Sequence, residues 1–156
     1  MNANPKLPLS VDDKKKLRKA KVNLGQLHTL SISQLMEILD IPMVSAQQVK
    51  ALAQFQQLPS IGYELADKLV NQLHIYSLEE IRQKEGAQLF DELEQALGVW
   101  TDSCVEDQIR CVIHHANHPG SEKQWFAFTE ERKLYREMNG YPKDRPTTAW
   151  YEAQNK

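Results

Sequence analysis

The chain has 156 residues, of which 41% are hydrophobic and 26% are charged, and its formal net charge at pH 7 is −2. A chain of this length and composition can bury one sizeable core, which excludes disorder throughout and favours one domain with short extensions. No apolar run approaches the roughly 18 residues of a membrane span, and residues 1–9 lack the features of a secretory signal. We therefore expect a cytoplasmic protein without membrane contact.

Charge is distributed unevenly along the chain and divides it into three predicted parts. Residues 1–21 hold seven basic and two acidic residues, residues 22–120 hold five and thirteen, and residues 121–156 hold seven and six. We predict a basic N-terminal arm with a first helix, then a helical domain, then an aromatic segment that packs on this domain. The arm carries the charge that favours nucleic acid, on Lys14, Lys15, Lys16, Arg18 and Lys19.

Helix starts are marked by a serine followed three residues later by Glu or Gln, a pair that can satisfy free N–H groups reciprocally. This pattern occurs at Ser31 with Gln34, Ser45 with Gln48, Ser77 with Glu80, Ser103 with Glu106 and Ser121 with Gln124. Apolar residues follow at helical spacing, as in Leu65, Leu69 and Leu73, and no convincing alternating strand pattern competes. We predict an all-α protein, a compact array of short helices.

A short turn at residues 58–62 separates two of these predicted helices. Pro59 ends the first helix, Ile61 can enter the core between the two, and Gly62 permits close approach of a backbone. The second helix starts near Tyr63 with unpaired N–H groups and the positive end of its dipole. Such groups suit a phosphate and read no base.

The turn Leu58-Pro59-Ser60-Ile61-Gly62, with Ala66 four residues after Gly62, resembles the helix-hairpin-helix pattern, commonly Leu-Pro-Gly-Ile/Val-Gly followed by Ala. The resemblance implies a nucleic-acid contact at this turn. Ser60 departs from the pattern by replacing the first glycine, and Glu64 places a carboxylate near the expected phosphate. A purely structural hairpin is therefore the alternative interpretation.

A wider resemblance covers most of the chain. It rests on residues 51–55 (ALAQF), 76–81 (YSLEEI), 102–110 (DSCVEDQIR), 114–119 (HHANHP) and 143–151 (KDRPTTAWY). Together these segments resemble the bacterial pathogenicity-locus family, which is grouped with helix-hairpin-helix proteins and has some relatives labelled for mitomycin resistance. The resemblance implies the hairpin fold and a bacterial cytoplasm, and it assigns no molecular activity.

The C-terminal 32 residues hold seven of the twelve aromatic residues. We predict a helix from Thr129 to Asn139 that stops at Gly140, followed by an extended tail interrupted by Pro142 and Pro146. So many aromatic side chains are rarely left in solvent, so we expect the tail to fold back onto the helical body. An aromatic surface for a partner is the alternative.

A cysteine and histidine face is predicted on the helix that contains Cys104 and Cys111. These two thiols lie roughly 10 Å apart along a helix, too far for a disulfide, and free thiols fit a reducing compartment. Polar ligand types on one face suggest a metal, with Cys111, His114, His115 and His118 as candidate ligands. The alternative is a face covered by the C-terminal segment, and we expect no cofactor.

We expect sequence-independent binding of nucleic acid, most simply DNA, with a role in DNA repair or protection. The predicted contacts are the basic arm residues named above together with Ser60, Ile61, Gly62, Tyr63, Glu64 and Lys68. No nucleophile motif, phosphate loop or metalloprotease signature is present, so we do not expect an enzyme. The alternative function is a protein-interaction module that docks a basic protein partner.

Overall fold

The computed structural model describes residues 4–153, and regular structure over this range is helical, with one isolated bridge between Trp100 and Ala149. The α-helices are α1 (Val11–Lys19), α2 (Ile32–Leu39), α3 (Met43–Phe55), α4 (Tyr63–Asp67), α5 (Leu78–Ile81), α6 (Gly86–Leu97), α7 (Ser103–Asn117), α8 (Thr129–Asn139) and α9 (Trp150–Ala153). Two 3-10 helices cover Leu24–Thr29 and Trp125–Phe128. A π-helical turn, Lys68–Gln72, continues α4 directly. The predicted compact all-α array is confirmed.

The capping pattern identified some helix starts correctly. Ser31 caps α2 with Gln34 in the predicted reciprocal box, and the Ser77 side chain accepts from the Glu80 amide at the start of α5. A further box at Ser10 with Asp13 starts α1 and was not predicted. The correct cases share a serine whose backbone is extended immediately before the helix.

Other predicted starts were wrong. Pro42 occupies the cap position of α3, so Ser45 lies inside the helix, and Asp102 occupies that of α7, so Ser103 is its first residue. Ser121 caps no helix; the next helical segment begins at Trp125. The predicted helix Thr129–Asn139, ended by Gly140, is confirmed, and Gly140 has φ 68°.

Two clusters of buried apolar side chains form the core, and α3 contributes to both. The first joins α1, α2, α3 and the first 3-10 helix through Leu17, Leu27, Leu35, Leu39, Ala46, Val49 and Ala53. The second runs from α3 to α7 and includes the fully buried Phe55, Phe90 and Ile109. Because α1 supplies Leu17 to the first cluster, the arm is anchored by its helix. The three-part domain division stays a prediction.

Buried ion pairs join α8 to α6 and α7. Arg136 donates from Nε to Glu106 Oε1 and from Nη2 to Asp91 Oδ1, both at 2.9 Å. Arg132 donates from Nε to Asp107 Oδ1 at 2.8 Å. Burial raises the pKa of Asp91, and its hydrogen bond with Arg136 opposes that shift. These pairs fix α8 against the helices that precede it.

The segment after α8 is held in a similar way. Arg145 donates to both carboxylate oxygens of Glu94, at 2.7 and 3.0 Å. The centroid of the Tyr141 ring lies 4.1 Å from the guanidinium carbon of Arg136 and 3.9 Å from that of Arg145. These contacts place the backbone near Ala149 beside the segment that connects α6 to α7.

Among the described residues, no helix has both the length and the apolar character that a bilayer crossing needs.

Candidate functional site

The predicted turn joins α3 to α4 and is built by local backbone bonds. The Leu58 amide donates to the Phe55 carbonyl and the Ile61 amide to the Leu58 carbonyl, each at 3.2 Å. Ile61 enters the core, and Ala66 is fully buried on α4. The expected entry of Ile61 into the core is confirmed. Between Ile61 and Ala66, Gly62 and Glu64 are exposed and Tyr63 is half-buried, whereas Leu65 is buried.

Ser60 adopts a backbone conformation that favours glycine, with φ 62°. Its hydroxyl accepts a hydrogen bond from the Trp125 amide at 2.9 Å. The departure from the glycine pattern therefore has a structural use, because the serine ties the turn to the 3-10 helix before α8.

Gly62 and the two residues after it present unpaired backbone amides. Gly62 is exposed, and a Cβ built on it would meet nothing within 4 Å. In the described part of the chain, no acceptor is found for the amides of Gly62, Tyr63 or Glu64. The Gly62 carbonyl, by contrast, accepts from the Ala66 amide at 3.2 Å. The turn thus offers donors to solvent at the start of a helical run that continues through residue 72.

These residues line an open cleft of about 1210 Å³. We call its first set of lining residues the turn group: Ser60, Gly62, Tyr63, Glu64 and Lys68. The second set lies at the end of α6, on the segment before α7 and on α7 itself. We call it the α7 group: Leu97, Val99, Thr101, Asp102, Cys104 and Gln108. Asn4, Lys6 and Trp150 also line the cleft. The fold therefore joins the predicted turn to residues distant in sequence.

The charges around the cleft are mixed. Lys6 and Lys68 are basic, whereas Glu64 and Asp102 are acidic. Asp102 accepts a hydrogen bond from the Trp150 indole at 3.2 Å, which engages part of its acceptor capacity. Glu64 is exposed, so water screens its charge more than that of a buried group.

Thr101 has an unusual environment in the α7 group. Its amide donates to Glu94 Oε2 at 2.8 Å, and Glu94 is itself held by Arg145. The residue is 5% exposed, yet its hydroxyl has no hydrogen-bond partner among the described residues. A buried hydroxyl without a partner is costly, so this group is a feature that requires explanation.

Cys104 brings a thiol to the same cleft. Burial raises its pKa, and the carboxylates of Asp102 and Asp107 add to that shift. The thiol is therefore protonated near neutral pH and is a weak nucleophile there.

The predicted basic residues of α1 lie elsewhere, whereas Lys6, from the segment before α1, lines the cleft. Lys14, Lys15, Arg18 and Lys19 are exposed on α1, and none of them lines the cleft. Lys16 is half-buried; it donates to the Leu39 carbonyl at 3.3 Å and pairs with Asp12 at 3.4 Å. The structure thus brings together the predicted residues of the turn and separates them from the predicted residues of the arm.

Sequence reasoning missed several residues of the cleft. Cys104 and Gln108 share a face of α7 through their spacing of four, which was a usable signal. Thr101, Lys6 and Trp150 have no such signal, because tertiary contacts bring them to the cleft. Asp102 and Trp150, for example, are 48 positions apart.

The structure divides the cysteine and histidine face: Cys104 lines the cleft, whereas Cys111, His114 and His115 lie under the chain that leads to α8, with the Cys111 thiol also beside the Ser60 side chain. The Lys123 carbonyl accepts from the Cys111 thiol at 3.7 Å and lies 2.8 Å from His115 Nε2. His114 Nε2 lies 2.9 Å from Ser121 Oγ, and the His114 and His118 rings are 4.6 Å apart.

Metal binding by this face finds little support in the geometry. Burial raises the pKa of Cys111 to about 11, so the thiolate that a metal needs is disfavoured. Within residues 4–153, no group of three or more His, Cys, Asp or Glu side chains is arranged to hold an ion.

No curated protein and no solved structure matches the chain. A family model described as "Pathogenicity locus" matches residues 48–134, which include both the turn group and the α7 group. Because the match covers more than half of the 156 residues, this chain belongs to the pathogenicity locus family.

Proposed function

We propose that α3, the turn and α4 form a helix-hairpin-helix module that binds the phosphate backbone of nucleic acid without reading its sequence. The observation that carries this proposal is the set of three unpaired amides, at Gly62, Tyr63 and Glu64, on residues that line an open cleft. Successive backbone amides at a helix start are suited to an anion.

The environment of Gly62 supports an external ligand. Its φ of −104° is accessible to any residue, and a Cβ at this position would meet no atom within 4 Å. Neither backbone conformation nor internal packing therefore requires glycine here. A glycine does allow a bulky anion to approach the backbone closely.

Two lysines supply positive charge to the same cleft. Lys68 follows the open amides by about one helical turn, and Lys6 lies on the incoming N-terminal segment. The exposed arm on α1 adds charge that would attract a polyanion from a distance. Glu64 opposes a phosphate, so its replacement by glutamine should strengthen binding. We place this binding in DNA repair or protection and assign no catalytic step to it.

The proposal is tested by fluorescence anisotropy with labelled duplex and single-stranded oligonucleotides of two unrelated sequences. At about 50 mM salt we expect binding of similar strength to both sequences, and at about 200 mM a loss of tenfold or more. Glu64→Gln should bind more tightly than the unmodified protein at both salt concentrations. Absence of binding at the lower salt concentration contradicts the proposal.

A protein-interaction role is the second candidate. It is supported by exposed apolar side chains on the C-terminal part of the molecule, among them Phe126, Leu134 and Met138. Leu134 and Met138 are one turn apart on α8, and Met138 is 76% exposed. This role becomes the preferred one if the oligonucleotides fail to bind.

A further inference from the structure

Helix α8 reverses the usual arrangement of polar and apolar side chains. Its arginines, Arg132 and Arg136, point inward and pair with carboxylates of α6 and α7. Its large aliphatic side chains face solvent instead: Leu134 is 59% exposed and Met138 is 76% exposed. A surface helix ordinarily turns its apolar stripe toward the core. The outward apolar stripe of α8 therefore indicates a surface that another molecule covers.

The outward face of α8 combines this apolar stripe with negative charge. Leu134 and Met138 lie one helical turn apart and form a ridge. At about 100° per residue, the exposed Glu130 and Glu137 flank the ridge on one side and the exposed Glu131 flanks it on the other. Pairing of α8 with α8 of a second copy would bring these carboxylates together. The face therefore favours a basic partner.

Surface ion pairs compensate only part of this negative charge. Lys133 lies 3.8 Å from Glu130, and both side chains are exposed, so water and salt weaken the pair. Arg110 lies 3.1 Å from Glu131, and it also pairs with the fully buried Glu106. Among the described residues, Glu137 has no ion-pair partner.

Helix α1 carries the complementary surface. It buries Leu17 in the core, and Val11 at its start is 72% exposed. Its exposed acidic residue, Asp12, is engaged by Lys16 at 3.4 Å. Lysine and arginine can lay their aliphatic stems on apolar side chains while their charged groups reach carboxylates beside them. The exposed basic residues that can do so are Lys14, Lys15, Arg18 and Lys19.

We infer that the ridge of α8 in one copy of this chain docks against α1 of a second copy. Leu134 and Met138 then lie on Val11 and on the stems of the basic side chains, whose charges face the glutamates of α8. Each copy presents both surfaces, so two copies can make the contact twice about a two-fold axis, or several copies can make it head to tail. This inference goes beyond nucleic-acid binding and does not depend on it.

Sedimentation velocity of the full chain over a wide range of concentrations tests the inference, with no nucleic acid present. We expect species larger than the monomer at high concentration, and fewer of them at high salt, because salt screens exposed charges. Leu134→Ser should weaken self-association about tenfold or more, since burial of a leucine side chain contributes about this much. Leu134 is exposed in the monomer, so this variant should fold normally.

A charge exchange identifies the two surfaces. One protein carries Lys15→Glu and Arg18→Glu on α1, and the other carries Glu130→Lys and Glu137→Lys on α8; all four positions are exposed. Each protein alone should remain monomeric where the unmodified chain associates, because α1 and α8 then carry like charges. An equimolar mixture of the two should associate, because opposite charges face each other again. Glu79→Lys, an exposed reversal on α5 outside both surfaces, is the control and should associate normally.

Two results would overturn the inference. A chain that stays monomeric at every concentration at low salt would exclude the contact and leave the ridge of α8 to a different basic protein. Self-association that either charge-reversed protein retains, or that mixing the two fails to restore, would place the contact on other surfaces. Circular dichroism of each variant shows whether a loss of association reflects a loss of helical structure.

Discussion

At the scale of single residues, the turn carries a measurable conformational cost. Ser60 has φ 62°, a region in which a Cβ is unfavourable by about 1 kcal/mol. Its hydroxyl offsets part of that cost through the hydrogen bond from the Trp125 amide. Ser60, which departs from the hairpin pattern, therefore adopts a less favourable backbone conformation and gains a hydrogen bond with the Trp125 amide.

A pair of substitutions separates these two effects. Ser60→Gly and Ser60→Ala both lose the hydroxyl, and only the alanine keeps a Cβ in the left-handed conformation. We expect the glycine variant to be more stable than the alanine variant by about 1 kcal/mol in urea unfolding. Equal stability of the two variants would show that the turn is not strained.

Some residues of the cleft could be predicted from their neighbours in the sequence, and others could not. Pro59, Ile61 and Gly62 lie within four consecutive residues, and their local chemistry predicts the turn between α3 and α4 from the sequence alone. The unpaired hydroxyl of Thr101 follows from its burial beside Glu94, which no local pattern encodes. The turn group was therefore predictable, and most of the α7 group was not.

At the scale of helices, apolar periodicity predicted the all-α fold, whereas the serine pattern placed helix starts unevenly. The pattern failed where a neighbouring residue, Pro42 or Asp102, occupies the cap position. The interactions that hold α8 are also hidden from periodicity. Arg136 and Glu106 are 30 positions apart, and their pairing depends on how α7 and α8 pack.

The buried pairing of α8 makes a strong prediction for stability. Glu106 is fully buried and pairs with both Arg136 and Arg110, so Arg136→Met removes one of its two compensating charges and also the partner of Asp91. We expect a loss of about 3 kcal/mol or more in the free energy of unfolding, measured by urea denaturation. Lys133→Met is the matched control, because Lys133 pairs with Glu130 on the exposed surface and should change stability by less than about 1 kcal/mol. A similar small effect of both variants would refute the structural role of the pair.

At the scale of the whole molecule, the net charge disfavours binding of a polyanion, whereas the groups exposed in the cleft favour it. The acidic residues of the region 22–120 disfavour a polyanion, while the unpaired amides, Lys6 and Lys68 favour one at a single place. Composition alone gave the net charge and could not locate the cleft, since that requires the path of the chain from α6 through α9. Phosphate binding at the turn therefore requires that the local donors outweigh the repulsion by the acidic residues.

The most direct test of that claim is a titration of Gly62→Glu against Gly62→Gln with a labelled single-stranded oligonucleotide at low salt. A Cβ at this position meets open space, so we expect both variants to fold, and the two side chains differ only in a negative charge beside the unpaired amides. We predict that the glutamate variant binds at least about fivefold more weakly than the glutamine variant, because like charges at close range repel. Equal affinity of the two variants would contradict phosphate binding at this turn.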